Sequence, residues 1–174
     1  MKKRTKTILQ ILNVLAWIAF IGLMVQAGAY IVSYILSLNQ PLGAKHFNNN
    51  IDLYDLRQYS FVHYTVMVVL MVLIPSFEAY IAYLVTSVLS KVKLQNPFTL
   101  EVSKLLETIS YYMLATWVIA IIYNSYLSWL IKEIPTLHLE KVSGDFIFMT
   151  GVVFVIAQIF RKGVEIQTEN ELTV

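Results

Sequence analysis

Four long apolar segments take up most of this 174-residue chain, and they constrain its fold more than any other feature. A bilayer core about 30 Å thick is crossed by roughly 20 apolar residues in a helix. The predicted spans cover residues 8–38, 60–89, 105–131 and 145–160. The fourth has 16 residues, so we expect flanking residues or local thinning of the bilayer to complete it.

The composition agrees with a membrane solvent rather than water. Only 14% of the residues are charged, whereas about a quarter are charged in a typical soluble domain. Backbone groups in lipid must pair within their own segment, which favours helices over barrel strands for segments of this kind. The sequence therefore predicts an all-α fold, an integral membrane four-helix bundle in one domain (residues 1–174) with a tail at residues 161–174.

The basic residues predict how the chain is oriented. Nine of them lie at the N-terminus, the second loop and the tail, and four lie in the first and third loops. Because the side richer in Lys and Arg is usually cytoplasmic, we expect both termini to be cytoplasmic. We expect no signal-peptide cleavage at Ala27-Gly28-Ala29, since the apolar stretch before it exceeds the usual 7–15 residues. The first loop, residues 39–59, is predicted to be a turn followed by irregular chain.

Several kinds of chemistry have no pattern to support them. The chain has no cysteine, no Gly-Lys-Ser/Thr phosphate loop and no His-Glu-x-x-His sequence. A net charge of +2 does not indicate a nucleic-acid surface. We therefore expect no catalytic residues, no cofactor, no metal and no direct nucleic-acid partner. A weak alternative is an external metal site built from His46, His138, Asp52, Asp55 and Glu140, although their spacing is not that of a ligand set.

Glu78 is the one acidic residue well inside the second span. A charged side chain there costs about 2.5–3.5 kcal/mol on insertion scales, so it takes up a proton, pairs with a base or faces water. Pro75, one turn earlier, removes the donor for the Met71 carbonyl and is expected to kink the helix. A kink beside an acid suits an ion or proton pathway. The more ordinary alternative is a packing role with hydrogen bonds to Tyr80 or Tyr83.

Three uncharged polar residues, Gln26, Asn124 and Gln158, fall within three other spans. Such residues form hydrogen bonds between membrane helices, worth about 0.6 kcal/mol on average. We expect them mainly to stabilise the bundle. Small residues four positions apart are compatible with association of helices, so a homo-oligomer is a further possibility.

The tail after the fourth span has an amphipathic composition. Val164, Ile166 and Leu172 make it more apolar than a purely solvating tail needs to be. It is therefore either a docking peptide or a frayed acidic end that pairs with Lys91 and Lys93.

Two segments resemble a known family. The first is the Pro-Phe pair of the second loop, and the second is a tail of the form Arg-x-Gly-x-Glu followed by Glu-Leu-Thr-Val. In this chain they are Pro97 and Phe98, then Arg161, Gly163, Glu165, Glu171, Leu172, Thr173 and Val174. Both resemble the bacterial domain-of-unknown-function family 2975, small four-span membrane proteins without an established activity. One departure is Val102, where the family often has Asn.

The resemblance implies a bacterial inner-membrane location and frequent genetic pairing with a small helix-turn-helix regulator. The leading hypothesis is a non-enzymatic membrane tether or sensor for such a cytoplasmic regulator. Its predicted contact residues are Pro97, Phe98, Glu165, Glu171 and Leu172. The alternative is a small transporter or channel subunit that uses Glu78, Pro75 and Gln26. A third possibility is a structural or stress-related membrane protein without a ligand.

Overall fold

The chain folds as an all-α protein. The computed structural model describes residues 2–48, 51–92, 98–143 and 146–172, with side chains for residues 4–48, 51–92, 98–143 and 147–169. Over these ranges there are five α-helices and one 3-10 turn, and the structure is 87% helical. The described ranges contain no strand, only an isolated bridge between Phe47 and Ile51. The predicted fold class is confirmed.

Each long helix extends beyond its predicted span at one end or at both. The α-helices are α1 (Lys2–Asn39), α2 (Tyr54–Tyr59), α3 (Phe61–Lys91), α4 (Leu100–Glu133) and α5 (Phe146–Leu172), with the 3-10 turn at Pro41–Ala44. Of these described elements, α1, α3, α4 and α5 are long and apolar enough to cross a membrane. The chain is therefore a multi-pass membrane protein. Helix α5, the fourth of the long helices, continues without interruption through most of the predicted tail, because residues 161–172 contain neither proline nor a turn sequence.

The chain divides into two compact units. The first unit comprises Met1–Ile21, Ala79–Ala115 and Asp145–Val174, and the second comprises Gly22–Glu78 and Thr116–Gly144. Three long helices, α1, α3 and α4, contribute residues to both units, whereas α2 belongs to the second and α5 to the first.

The first connecting loop forms part of the core of the second unit. Phe47, Leu53 and Leu56 are fully buried against residues of α1, α3 and α4. The Ser37 and Tyr64 hydroxyl groups share a hydrogen bond of 2.6 Å at the same place. Residues 39–59 are rich in polar side chains, which is why the sequence predicts irregular chain there. Phe47, Leu53 and Leu56 instead fix the segment to the helices.

The first unit is held by small and aromatic side chains. The Ser103 hydroxyl donates a hydrogen bond of 3.3 Å to the Ala157 carbonyl, which ties α4 to α5. The rings of Tyr80 and Tyr112 lie 4.5 Å apart between α3 and α4. Val102, the position that departs from the family pattern, is fully buried, so an apolar side chain suits it.

Candidate functional site

The second unit contains a cavity of about 510 Å³. It is lined by Gln26 and Tyr30 of α1, Glu78 of α3, Tyr123 of α4 and residues 138–142 of the α4–α5 loop. Small-molecule sites in proteins commonly measure about 300–1,000 Å³ and combine apolar walls with a few polar groups. The cavity has the size and the lining of such a site.

One wall of the cavity comes from the proline turn of α3. Pro75 is buried, and Met71, Ile74 and Pro75 line the cavity together with Glu78. Since proline has no N–H group, it leaves the Met71 carbonyl without its helical donor. The expected kink stays a prediction, but the structure does place Pro75 and Glu78 on the same cavity, as the transporter hypothesis requires.

Another part of the lining comes from the α4–α5 loop, which runs back along α4. The Asn124 side chain donates to the Val142 carbonyl at 2.8 Å and accepts from the Val142 N–H at 2.9 Å. The Tyr123 hydroxyl donates to the Glu140 carbonyl at 3.2 Å. At about 1.5 Å per residue, Asn124 lies about 13 Å before the end of α4 at Glu133. The loop therefore returns well along the helix before α5 begins.

Buried apolar contacts hold the turn of the same loop. Ile134 and Leu137 are buried, and the Leu137 N–H donates to the Ile134 carbonyl at 3.0 Å. The Thr136 hydroxyl donates to the Asp55 carboxylate at 2.5 Å, which joins this loop to α2. These hydrogen bonds and buried side chains hold the non-helical backbone of the loop against the helices of the second unit.

Glu78 dominates the electrostatics of the cavity. Among the described lining residues it is the one charged residue that a helix supplies, while His138, Glu140 and Lys141 are exposed loop residues. The described part of the chain offers its half-buried carboxylate neither a hydrogen-bond donor nor a cation. The alternative role, hydrogen bonding to Tyr80 or Tyr83, is therefore not found over those ranges.

The other predicted polar residues have different positions. Gln26 donates to the Tyr30 hydroxyl at 3.2 Å, one turn along its own helix. Gln158 is half-buried on α5 in the first unit and does not line the cavity. The partners given to Gln26 and Asn124 thus lie on the same helix and on a loop rather than on another span. The part played by Tyr123 and by residues 138–142 was missed.

No metal site appears in the described ranges, where no three His, Asp or Glu side chains come together as ligands would. His63 instead lies among aromatic residues. Its Nδ1 shares a hydrogen bond of 2.5 Å with the Tyr126 hydroxyl, and its ring lies 5.1 Å from that of Trp129. This is the packing environment expected of a single histidine near the end of a span.

In the first unit, the two family-like segments touch each other. The Phe98 ring lies 5.1 Å from the Phe160 ring. A Cβ atom added to Gly163 would lie 2.7 Å from Cδ1 of Phe98, closer than carbon atoms approach. Glycine is thus the residue that lets this helix approach Phe98. The contact gives Phe98 and Gly163, which are 65 residues apart in the sequence, a common structural role.

The remaining predicted contact residues lie around this contact or beyond the described structure. Glu165 is exposed and forms an ion pair with Lys162 at 2.9 Å. Lys91 pairs with Glu101 at 2.6 Å. Lys93, the other predicted partner of the acidic tail, lies outside the described residues. Pro97, Thr173 and Val174 lie outside the described residues. Helix α5 includes Glu171 and Leu172, whose side chains lie outside them too.

A comparison with protein families identifies the chain. The family model described as Protein of unknown function (DUF2975) matches residues 47–174. The chain belongs to this family. No curated protein and no solved structure matches it.

The DUF2975 match includes both family-like segments and most of the cavity. Glu78, Asn124 and Phe98 all fall inside the matched range, whereas Gln26 precedes it. The family description assigns no function.

Replacing Asn124 by Leu should release the loop that walls the cavity. The Val142 N–H and carbonyl would lose their partners, at a cost of about 1–3 kcal/mol for each unsatisfied group. Because the chain has no cysteine, a Leu139→Cys variant provides a unique label in the loop. We expect a water-soluble maleimide to label that cysteine several-fold faster after Asn124→Leu. Ser128→Ala, one turn further along α4, should not change the labelling rate. Equal rates for Leu139→Cys alone, with Asn124→Leu and with Ser128→Ala would contradict the role given to Asn124.

Replacing Gly163 by Ala should destabilise the protein through Phe98. Replacing glycine by alanine inside a helix stabilises the protein by about 0.5–1 kcal/mol where the added Cβ meets no other atom. Gly151 is such a position, with nothing within 4 Å of an added Cβ. We therefore expect Gly151→Ala to raise the free energy of unfolding in detergent and Gly163→Ala to lower it. Adding Phe98→Ala should remove the penalty of Gly163→Ala. Equal stabilisation by both alanines would show that the close contact is absent.

Proposed function

We propose that this DUF2975 protein is a non-enzymatic protein of the bacterial inner membrane that tethers a small cytoplasmic helix-turn-helix regulator. The observation that carries the proposal is the contact of Phe98 with Gly163 and Phe160. It brings the two segments in which the chain resembles the family into contact. We call the Phe98–α5 surface the side of α5 with Phe160, Gly163 and Ile166, together with Phe98, and Glu165 lies next to it around the helix.

The charge count supports a cytoplasmic position for the Phe98–α5 surface. Nine of the thirteen basic residues lie at the N-terminus, in the α3–α4 loop with the adjoining ends of its two helices, and at residues 161–162 of α5. Membrane proteins concentrate such residues on the cytoplasmic side. Arg161 and Lys162 would then mark the membrane boundary on α5, with about three further helical turns in the cytoplasm. A soluble regulator could reach that part of the helix.

The exposure of its apolar side chains supports a protein partner. Ile166 is 49% exposed and Phe98 is 37% exposed. Ile166 follows the proposed boundary, and Phe98 lies at it, in contact with Phe160 on one side and Gly163 on the other. Exposed apolar side chains rimmed by charges are typical of protein-binding surfaces. A partner with an apolar patch flanked by basic groups would match Ile166 and the acidic Glu165 and Glu169.

The second candidate function, a small transporter or channel subunit, is favoured by the cavity. Its support is that Glu78 and Pro75 line one space of about 510 Å³. Intramembrane carboxylates that face a cavity commonly mark ion or proton pathways. Unlike the tether, this function needs no partner on the Phe98–α5 surface.

The tether is tested by crosslinked pull-down from native membranes. We expect the full-length chain to capture a helix-turn-helix protein, and a chain truncated after Lys162 to lose at least nine-tenths of it. Phe98→Ala should weaken the capture several-fold because it removes the centre of the surface. Phe148→Ala is the matched control, since Phe148 is 74% exposed elsewhere on α5. Capture by the truncated chain at the full-length level, or capture of no such protein by either chain, would overturn the proposal.

The transporter is tested by proton flux into proteoliposomes that contain a pH-sensitive dye. Glu78→Gln should abolish the flux while expression and helix content stay unchanged, because the amide cannot exchange a proton. Glu133→Gln is the control, since Glu133 is exposed at the end of α4 and does not line the cavity. If the unaltered protein carries no flux, or if Glu78→Gln carries as much, this candidate fails.

A further inference from the structure

We propose that the cavity of the second unit binds a small organic cation, an amine whose ammonium group pairs with Glu78 and whose aromatic ring packs between Tyr30 and Tyr123. The inference goes beyond the tether. It also rests on the cavity that the transporter candidate uses, and it names the class of ligand that such a transporter would bind. Binding in the cavity does not require transport.

The unpaired carboxylate argues for a cation. Glu78 lines the cavity, and the described residues provide it with neither a donor nor a base. An ionised group in such a place is stabilised when a charge of opposite sign is brought to it. Lys141 lines the same cavity, but Glu140 beside it offsets its charge, and both side chains are exposed loop residues. An ammonium ion from outside therefore meets an excess of negative charge.

The size and the walls of the cavity argue for an aromatic body rather than a bare ion. A volume of about 510 Å³ is far larger than a single hydrated cation needs. Tyr30 and Tyr123 are buried, and Ile51, Met71 and Ile74 are among the apolar residues of the lining. Aromatic rings attract cations across their faces and pack well against other rings.

The polar groups around these rings are already fixed by the protein. Gln26 donates to the Tyr30 hydroxyl at 3.2 Å, and the Tyr123 hydroxyl donates to the Glu140 carbonyl at 3.2 Å. The two tyrosines therefore need not reorganise when a ligand enters, and a preorganised site binds more tightly. Glu78 remains as the group whose charge the ligand has to satisfy.

Binding of phenethylamine to the full-length protein in phosphatidylcholine nanodiscs tests the proposal, with the neutral 2-phenylethanol as comparison. We expect phenethylamine to bind at least tenfold more tightly than the alcohol. Glu78→Gln should remove that preference, Glu78→Asp should keep part of it, and Glu133→Gln should leave it unchanged. Equal affinity for amine and alcohol in the unaltered protein, or an undiminished preference in Glu78→Gln, would overturn the proposal.

A second variant tests the site if the Glu78→Gln protein does not fold. Ile74→Trp fills the cavity while it keeps the carboxylate, and it should weaken binding of both probes at least tenfold. Unchanged binding by this variant would place the site elsewhere and contradict the proposal. Amine binding without flux of either protons or the amine would reject the transporter candidate and leave this site standing, so the two failures are distinguishable.

Discussion

The structure depends on one constraint: backbone polar groups surrounded by apolar material must find their partners within the protein. The four long helices satisfy it by their own hydrogen bonds. The α4–α5 loop cannot do so, and Asn124 supplies the missing pair by bonding to both backbone groups of Val142. That one side chain holds a non-helical segment against a membrane helix. The cavity next to Glu78 exists because the loop stays there.

The two candidate surfaces make different demands on the chain. The cavity needs a fixed loop, a proline turn and an unpaired carboxylate, all of which lie in the second unit. The Phe98–α5 surface needs a glycine at residue 163 and a helix that continues past the last apolar residues, both of which lie in the first unit. A protein that binds a ligand at one surface and a regulator at the other would have the two parts of a membrane sensor. Each surface is testable without the other.

The fold class could be predicted because it depends on local composition. Length, hydropathy and charge establish four apolar helices, and the family resemblance rested on residues that the family match includes. The polar spacing of residues 39–59 hid the burial of Phe47, Leu53 and Leu56, since burial there depends on contacts with α1, α3 and α4. The end of α5 looked like a separate tail because hydropathy falls at Arg161, although helix formation does not stop there.

The sites were only partly predictable, for a related reason. Glu78 and Pro75 could be singled out because an acid and a proline inside an apolar segment are costly in any fold. Asn124 was noticed as a polar residue, but its partner lies 18 residues away on a loop, and no periodic pattern connects them. The closeness of Phe98 and Gly163 is a tertiary contact between residues far apart in sequence. Such pairings depend on how helices pack, and a single sequence does not encode that in any local pattern.

The most direct test of the tether is a photocrosslink from the centre of the Phe98–α5 surface. The residue p-benzoylphenylalanine would replace Phe98 in cells that express the full chain, and irradiated membranes would be searched by mass spectrometry for covalent adducts. A probe at Phe148, which is exposed elsewhere on α5, serves as the control. We expect an adduct between position 98 and a helix-turn-helix protein, and no such adduct from position 148. Adducts at position 98 that contain only lipid or this chain itself would contradict the tether.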